Sequence, residues 1–158
     1  MATWQDRWRD AKGFWNLAER AYHPDSPYGN PAASNAIMAV IAANDAICIH
    51  LIRRQPKGES HIEAADLLKQ ACKGKAWEKE AADKSKQLLE LLRQKNEAQY
   101  LGKPLSRDRV GKIIKQAERF IEWTATILPS DKPETRNKPT SPKADGEATE
   151  GSQPEQSG

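Results

Sequence analysis

Residues 34–54 read SNAIMAVIAANDAICIHLIRR, and this stretch decides the fold. Its large apolar side chains, Ile37, Val40, Ile41, Ile47, Cys48 and Leu51, recur at three- and four-residue steps with alanines between them. That spacing predicts a helix that is apolar nearly all round. Such a helix either crosses a membrane or is surrounded by other helices. Asn44 and Asp45 near its middle, and His50 and Arg53 near its end, make the stretch too polar, and it looks too short, for a membrane span. A central core helix is therefore expected. Polar groups inside it must find hydrogen-bond partners. Asn44 and Asp45 are expected either to tie the helix to a neighbour or a second copy, or to belong to a functional site.

Working outward, the N-terminal side offers a first helix from Thr3 to Tyr22. Trp4, Trp8, Ala11, Trp15, Ala18 and Tyr22 step by four and three in alternation and place three indoles on one face. Such a stripe could stack on bases, but opposite Arg7, Arg9, Lys12 and Glu19 it reads as the packing face of an amphipathic helix. The link HPDSPYGNPAA is too rich in turn residues to be helical, so the central helix should begin at Asn30-Pro31 or Ser34. It should end at RRQPKGES, where Pro56 and Gly58 intervene.

On the C-terminal side, Ser60 with Glu63 three residues later marks the N-cap of a third helix. Its expected apolar stripe is Ile62, Ala65, Leu68 and Cys72, and Gly74 closes it. A fourth helix spans about 76–99, with Trp77, Ala81, Ser85, Leu88, Leu92 and Asn96 on one face. Ser106 caps a fifth, with Val110, Ile113, Ala117, Ile121, Thr124 and Leu128 inward. Five apolar stripes joined by short links predict an all-α fold, an antiparallel five-helix bundle over residues 1–128. Residues 129–158 hold Pro, Ser, Thr, Glu, Lys and Gly and no large apolar side chain, which predicts a disordered tail.

The formal net charge is +3. The tail carries four basic residues against six acidic ones, net −2, which leaves +5 on the body. That mild excess is compatible with RNA or an acidic protein partner and requires neither. The two cysteines, Cys48 and Cys72, fall on separate helices without zinc-ligand spacing, and nothing in the sequence calls for a metal or a cofactor. With no export signal or cysteine framework, a cytoplasmic protein is expected. There is no glycine-rich phosphate loop, HExxH, GxSxG or carboxylate pair with a nearby histidine.

One longer stretch carries a resemblance. LLRQKNEAQYLGKPLSRDRVGKIIKQAERFIEWTATIL, taken with the central helix and GESHIEAADLL, resembles the HEPN superfamily of small helical bundles, and in particular its short bacterial members. The order is similar: an apolar central helix, a short helix opened by a histidine before an apolar pair (His61, Leu67-Leu68), a helix ending in an Asn-containing motif, and a capped last helix reading AERFIEW. The likeness runs over about 3–128. It implies a homodimer with a cleft between subunits, and in the family's ribonucleases an arginine and a histidine, often as Arg-Asn-x-x-x-His, that act there.

Mapped onto this chain, the motif window is Lys95 to Tyr100. Asn96 matches, Lys95 replaces the arginine, Tyr100 stands where the histidine would be, and Arg93 is the nearest arginine. RNA cleavage without metal needs a base for the 2′-hydroxyl proton, a task suited to histidine. Tyrosine, with an ordinary pKa of about 10, is a poor substitute. Arg93, Asn96 and Tyr100 share a helix face at steps of three and four and could hold a phosphate without cutting it. The expectation is thus a non-catalytic HEPN-type module binding a protein partner, a nucleotide or RNA. The alternative is a divergent ribonuclease, the toxin of a toxin–antitoxin or phage-defence pair with a protein antitoxin, in which His50 or His61 supplies the base.

Overall fold

The structure, a computed structural model, describes residues 1–58, 60–99 and 104–130. These form five α-helices: α1 (Trp4–Ala21), α2 (Gly29–Ile52), α3 (His61–Cys72), α4 (Glu78–Gln99) and α5 (Arg107–Ile127). Among the described residues there is no strand. The molecule is an all-α helical bundle. The tail expected to be disordered, from residue 131 on, lies outside the described residues, as does Tyr100.

Helix α2 is the centre of the bundle: it touches each of the other four, and its contact with α1 is the broadest in the molecule. From Ala32 to Ile49 fourteen of its residues are buried, Asn44 and Asp45 among them. Its cross-section is small because alanine dominates, so the tryptophans of α1 can fill the space beside it. Trp8, Ala11 and Ala18 are buried, and Trp4 and Trp15 pack half-buried on the same core. Removing a fully enclosed side chain such as Ile37 or Phe120 is expected to cost about 3–5 kcal/mol. By length and composition α2 would also suffice to cross a membrane, contrary to the expectation that it is too short; its most apolar window is 67% buried inside the bundle.

Local chemistry sets the helix ends. Thr3 and Asp6 form a reciprocal capping box on α1. Ser60 Oγ accepts from the Glu63 N–H at 3.1 Å, and Ser106 Oγ from the Arg109 N–H at 3.2 Å. The box expected at Ser60 is only half made, since the Glu63 carboxylate accepts from the Lys57 N–H instead, at 3.3 Å. Gly74 follows α3 at φ 74°, a conformation open to glycine without strain. Arg53, the C-cap of α2, adopts the same left-handed region (φ 55°, ψ 34°) with a side chain to carry. Gly13 sits in the middle of α1, where glycine costs about 1 kcal/mol relative to alanine. Among the described residues no atom of a neighbouring element lies within 4 Å of where its Cβ would stand.

Three details correct the sequence reading. Helix α2 starts at Gly29, so the second half of the supposed non-helical link is helical, with Pro31 in the first turn, where its missing N–H costs nothing. Ile62, expected in the core stripe of α3, is 60% exposed. Asn96, expected on the buried face of α4, is exposed. The buried arcs are broader than the stripes suggested: Leu91 on α4 and Phe120 and Trp123 on α5 are all buried. Trp123 keeps its indole N–H satisfied by donating to Glu80 Oε1 on α4 at 3.0 Å.

Candidate functional site

A cleft of about 230 Å³ opens where α2, the α2–α3 link, the start of α3 and the C-terminal half of α4 meet. Helix α2 contributes Ile41, Asn44 and Asp45; the link contributes Gln55 to Gly58; α3 adds Ser60, His61 and Ala64; α4 adds Leu88, Leu92 and Lys95. Four residues singled out from sequence therefore line one space: Asn44, Asp45, His61 and Lys95.

The floor is built by the polar pair of the central helix. Asn44, 1% exposed, donates through Nδ2 to the Ala64 carbonyl on α3 at 3.5 Å, and its Oδ1 accepts from the Cys48 thiol at 3.9 Å. The Asp45 carboxylate is gripped from two sides. Arg7 on α1 donates to Asp45 Oδ2 through Nε at 3.1 Å and lies at 2.9 Å through Nη2, and Gln55 Nε2 donates to the same oxygen at 3.3 Å. Burial nevertheless raises the Asp45 carboxyl above its ordinary value; the pull of Arg7 and the two hydrogen-bonded side chains opposes that rise without cancelling it. Arg7 is itself shared, with Nη1 at 2.6 Å from Asp10 Oδ2.

The rim is basic. Lys57 and His61 are exposed and Lys95 is half-buried. His61 is the first residue of α3, directly after the Ser60 cap. His61 and Ser60 also line a shallow, open hollow with Ile62, Leu89 and Arg93. Arg93 in turn lines a third hollow, with Gln94, Arg109 and Lys112 among its walls. Arg109 is held there by its Nη2, which donates to Gln94 Oε1 at 3.2 Å.

The remaining sequence-derived candidates separate. His50 lies on another face of α2, its ring edge-on to Trp4 with centroids 5.4 Å apart, and it is not among the residues lining the cleft. Partial burial lowers its pKa from the ordinary value. Arg93 and Asn96 are exposed on α4, and Tyr100 falls outside the described residues. Arg7, Gln55 and Lys57 were not anticipated. Arg7, read from sequence as lying opposite the packing face of α1, turns instead to Asp45 on α2; Gln55 and Lys57 gave no sequence signal.

Among the described residues no group of three or more His, Cys, Asp or Glu side chains is placed to hold a metal ion. A larger recess of about 570 Å³ lies elsewhere, between the α1–α2 link and the start of α5, and contains none of the candidate residues. No protein-family model and no curated protein matches this sequence.

Proposed function

We propose that the chain is a HEPN-type module, with its helices antiparallel and two copies paired, that binds single-stranded RNA in the cytoplasm without cutting it. One observation supports this reading above others. The three recesses share walls, through His61 and then through Arg93, so that Lys57, Lys95, His61, Arg93, Arg109 and Lys112 follow one another along a single track. Five lysine and arginine side chains spread over more than one pocket, with Asp45 and Glu90 the acids among them, suit a ligand with repeated phosphates better than a single nucleotide. Asp45 at the floor of the first recess, held in place beside the buried Asn44, would take a hydrogen bond from a ribose hydroxyl or a base edge.

The test is fluorescence anisotropy with fluorescein-labelled single-stranded RNA at several salt concentrations. Binding should weaken steeply with salt, and Lys95→Ala and Arg93→Ala should each lower the salt slope by about 1. Lys86→Ala, elsewhere on α4, should leave it unchanged. Binding that is absent, or indifferent to these substitutions, would overturn the proposal.

A second reading, the metal-independent ribonuclease, is favoured by one observation: His61, unlike His50, shares the cleft with Lys95. In that case the His61 imidazole would take the 2′-hydroxyl proton as the 2′-oxygen attacks phosphorus. Lys95 would balance the charge gathering on the phosphoryl oxygens while the 5′-oxygen leaves and takes a proton from solvent water. Growth arrest with fragmented total RNA on induced expression, abolished by His61→Ala, would establish it; intact RNA would leave the binding module standing.

A further inference from the structure

We propose that the outer face of α1 is the surface on which two copies of this chain pair, their α1 helices antiparallel about a two-fold axis level with Trp15. The inference rests on the two-copy part of the reading above and is independent of what the cleft binds. Asp10, Gly13, Leu17 and Arg20 step by three, four and three along α1 and all face solvent. Leu17 is 52% exposed, and Phe14 beside it is only half-buried. Among the described residues nothing uses the open space over Gly13.

In an antiparallel pair centred on Trp15, residues equally far before and after that position come to the same height. Gly13 and Leu17 lie two residues to either side, so each Leu17 comes opposite the other copy's glycine notch. Asp10 and Arg20 lie five residues to either side, so each acid comes opposite the other copy's arginine. One axis satisfies the apolar match and the charge match together, twice over. It also explains why a glycine that weakens the helix stands where it does: any side chain there would hold the second helix away.

The face is wired to the cleft. Asp10, which would receive the second copy's Arg20, already holds Arg7 at 2.6 Å, and Arg7 holds Asp45 at 2.9 Å. A carboxylate has lone pairs enough for both guanidinium groups. Helix α1 is about 27 Å long at 1.5 Å per residue, so a single helix pair falls at the small end of stable interfaces. Pairing should therefore be concentration-dependent.

Sedimentation equilibrium of the full chain tests this. The mass should rise from one chain to two with concentration. Asp10→Arg and Arg20→Asp should each weaken pairing at least about tenfold by setting like charges opposite one another, and the double variant should restore it. Gly13→Leu should abolish pairing while leaving the melting temperature equal or higher, which separates a blocked face from a misfolded chain. A wild-type chain that stays single at every concentration overturns the proposal, and so does a two-chain species indifferent to all three substitutions. RNA anisotropy on Gly13→Leu keeps the two readings apart: loss of pairing with RNA binding retained supports the face, while pairing without RNA binding sinks only the RNA reading.

Discussion

Arg7 and Asp45, thirty-eight residues apart in sequence, meet at 2.9 Å, yet the carboxyl group titrates above its ordinary value. Burial costs the charged form more than the guanidinium and Gln55 return. The pair is therefore not a device for stability. Buried ion pairs often exchange for neutral groups at little cost, whereas breaking one side leaves an uncompensated charge. Asp45→Asn should change the unfolding free energy by less than about 1 kcal/mol, and Arg7→Ala should cost about 3 kcal/mol, the low end for a broken buried pair because Arg7 is partly exposed. Urea titrations followed by circular dichroism measure both. Equal losses would mean that the ion pair, not burial, governs Asp45.

The sign of the pH dependence follows. A carboxyl whose folded pKa is raised contributes stability fully below its unfolded value, near 3.8, and loses it as pH rises through the folded value. The stability of wild type relative to Asp45→Asn should therefore fall with rising pH across the acid range.

His50 works in the opposite direction. Its folded pKa lies below the ordinary 6.5, so its contribution is present above that value and is lost as pH falls through the folded one. Replacing it with Gln should flatten stability below pH ~6.5 while leaving the acid-range effect of Asp45 in place. Melting temperatures at stepped pH read both.

The helix ends give the most local forecasts. Arg53 carries a side chain in the left-handed region at the end of α2, and Arg53→Gly should stabilise the fold by about 0.5–1 kcal/mol. Ser60→Ala and Ser106→Ala should each cost about 1 kcal/mol, because each hydroxyl caps a helix. Denaturant midpoints distinguish gain from loss.

Both cysteines are buried and free. Burial pushes the Cys72 thiol up to about 11, and burial together with the nearby Asp45 carboxylate pushes Cys48 higher still. Thiolate, the reactive form, is scarce in both at neutral pH. Iodoacetamide should leave the native chain unlabelled and modify both positions once urea unfolds it. Rapid native labelling of Cys48 would mean that α2 and α3 separate locally.

Much of this architecture was legible in the sequence because it is written in local signals. The apolar run of α2, the indole spacing of α1 and the Ser60 and Ser106 caps each depend on residues within a turn or two. Ile62 and Asn96 were misplaced because periodicity says which residues share a helix face, not how far the neighbouring helix extends along it. α3 buries Leu67 and Leu68 and leaves His61 and Ile62, its first two residues, exposed. The reverse error hid Phe120 and Trp123, whose neighbours on α5 are buried across a wider arc than a heptad stripe. Asn44, Asp45, His61 and Lys95 could each be named, but their meeting in one cleft is a tertiary fact. Arg7 and Gln55 reach Asp45 from another helix and a link, and no local pattern announces either. The Arg93, Asn96 and Tyr100 face expected from the family resemblance rests on a residue outside the described ones.

The central place of α2 has a consequence for how the chain is made. Of the five helices, only α1 precedes it along the chain. Three of the four helices that cover it are still to come, and α5, which makes the broadest contact after α1, comes last. Until then the nascent chain leaves one side of a twenty-four-residue helix uncovered, and by length and composition that helix is apolar enough to cross a membrane. A chain without α5 would leave that one side of α2 exposed, a natural client for chaperones and proteases. Helix α5 thus closes the last open side of α2, after α1, α3 and α4 have covered the others.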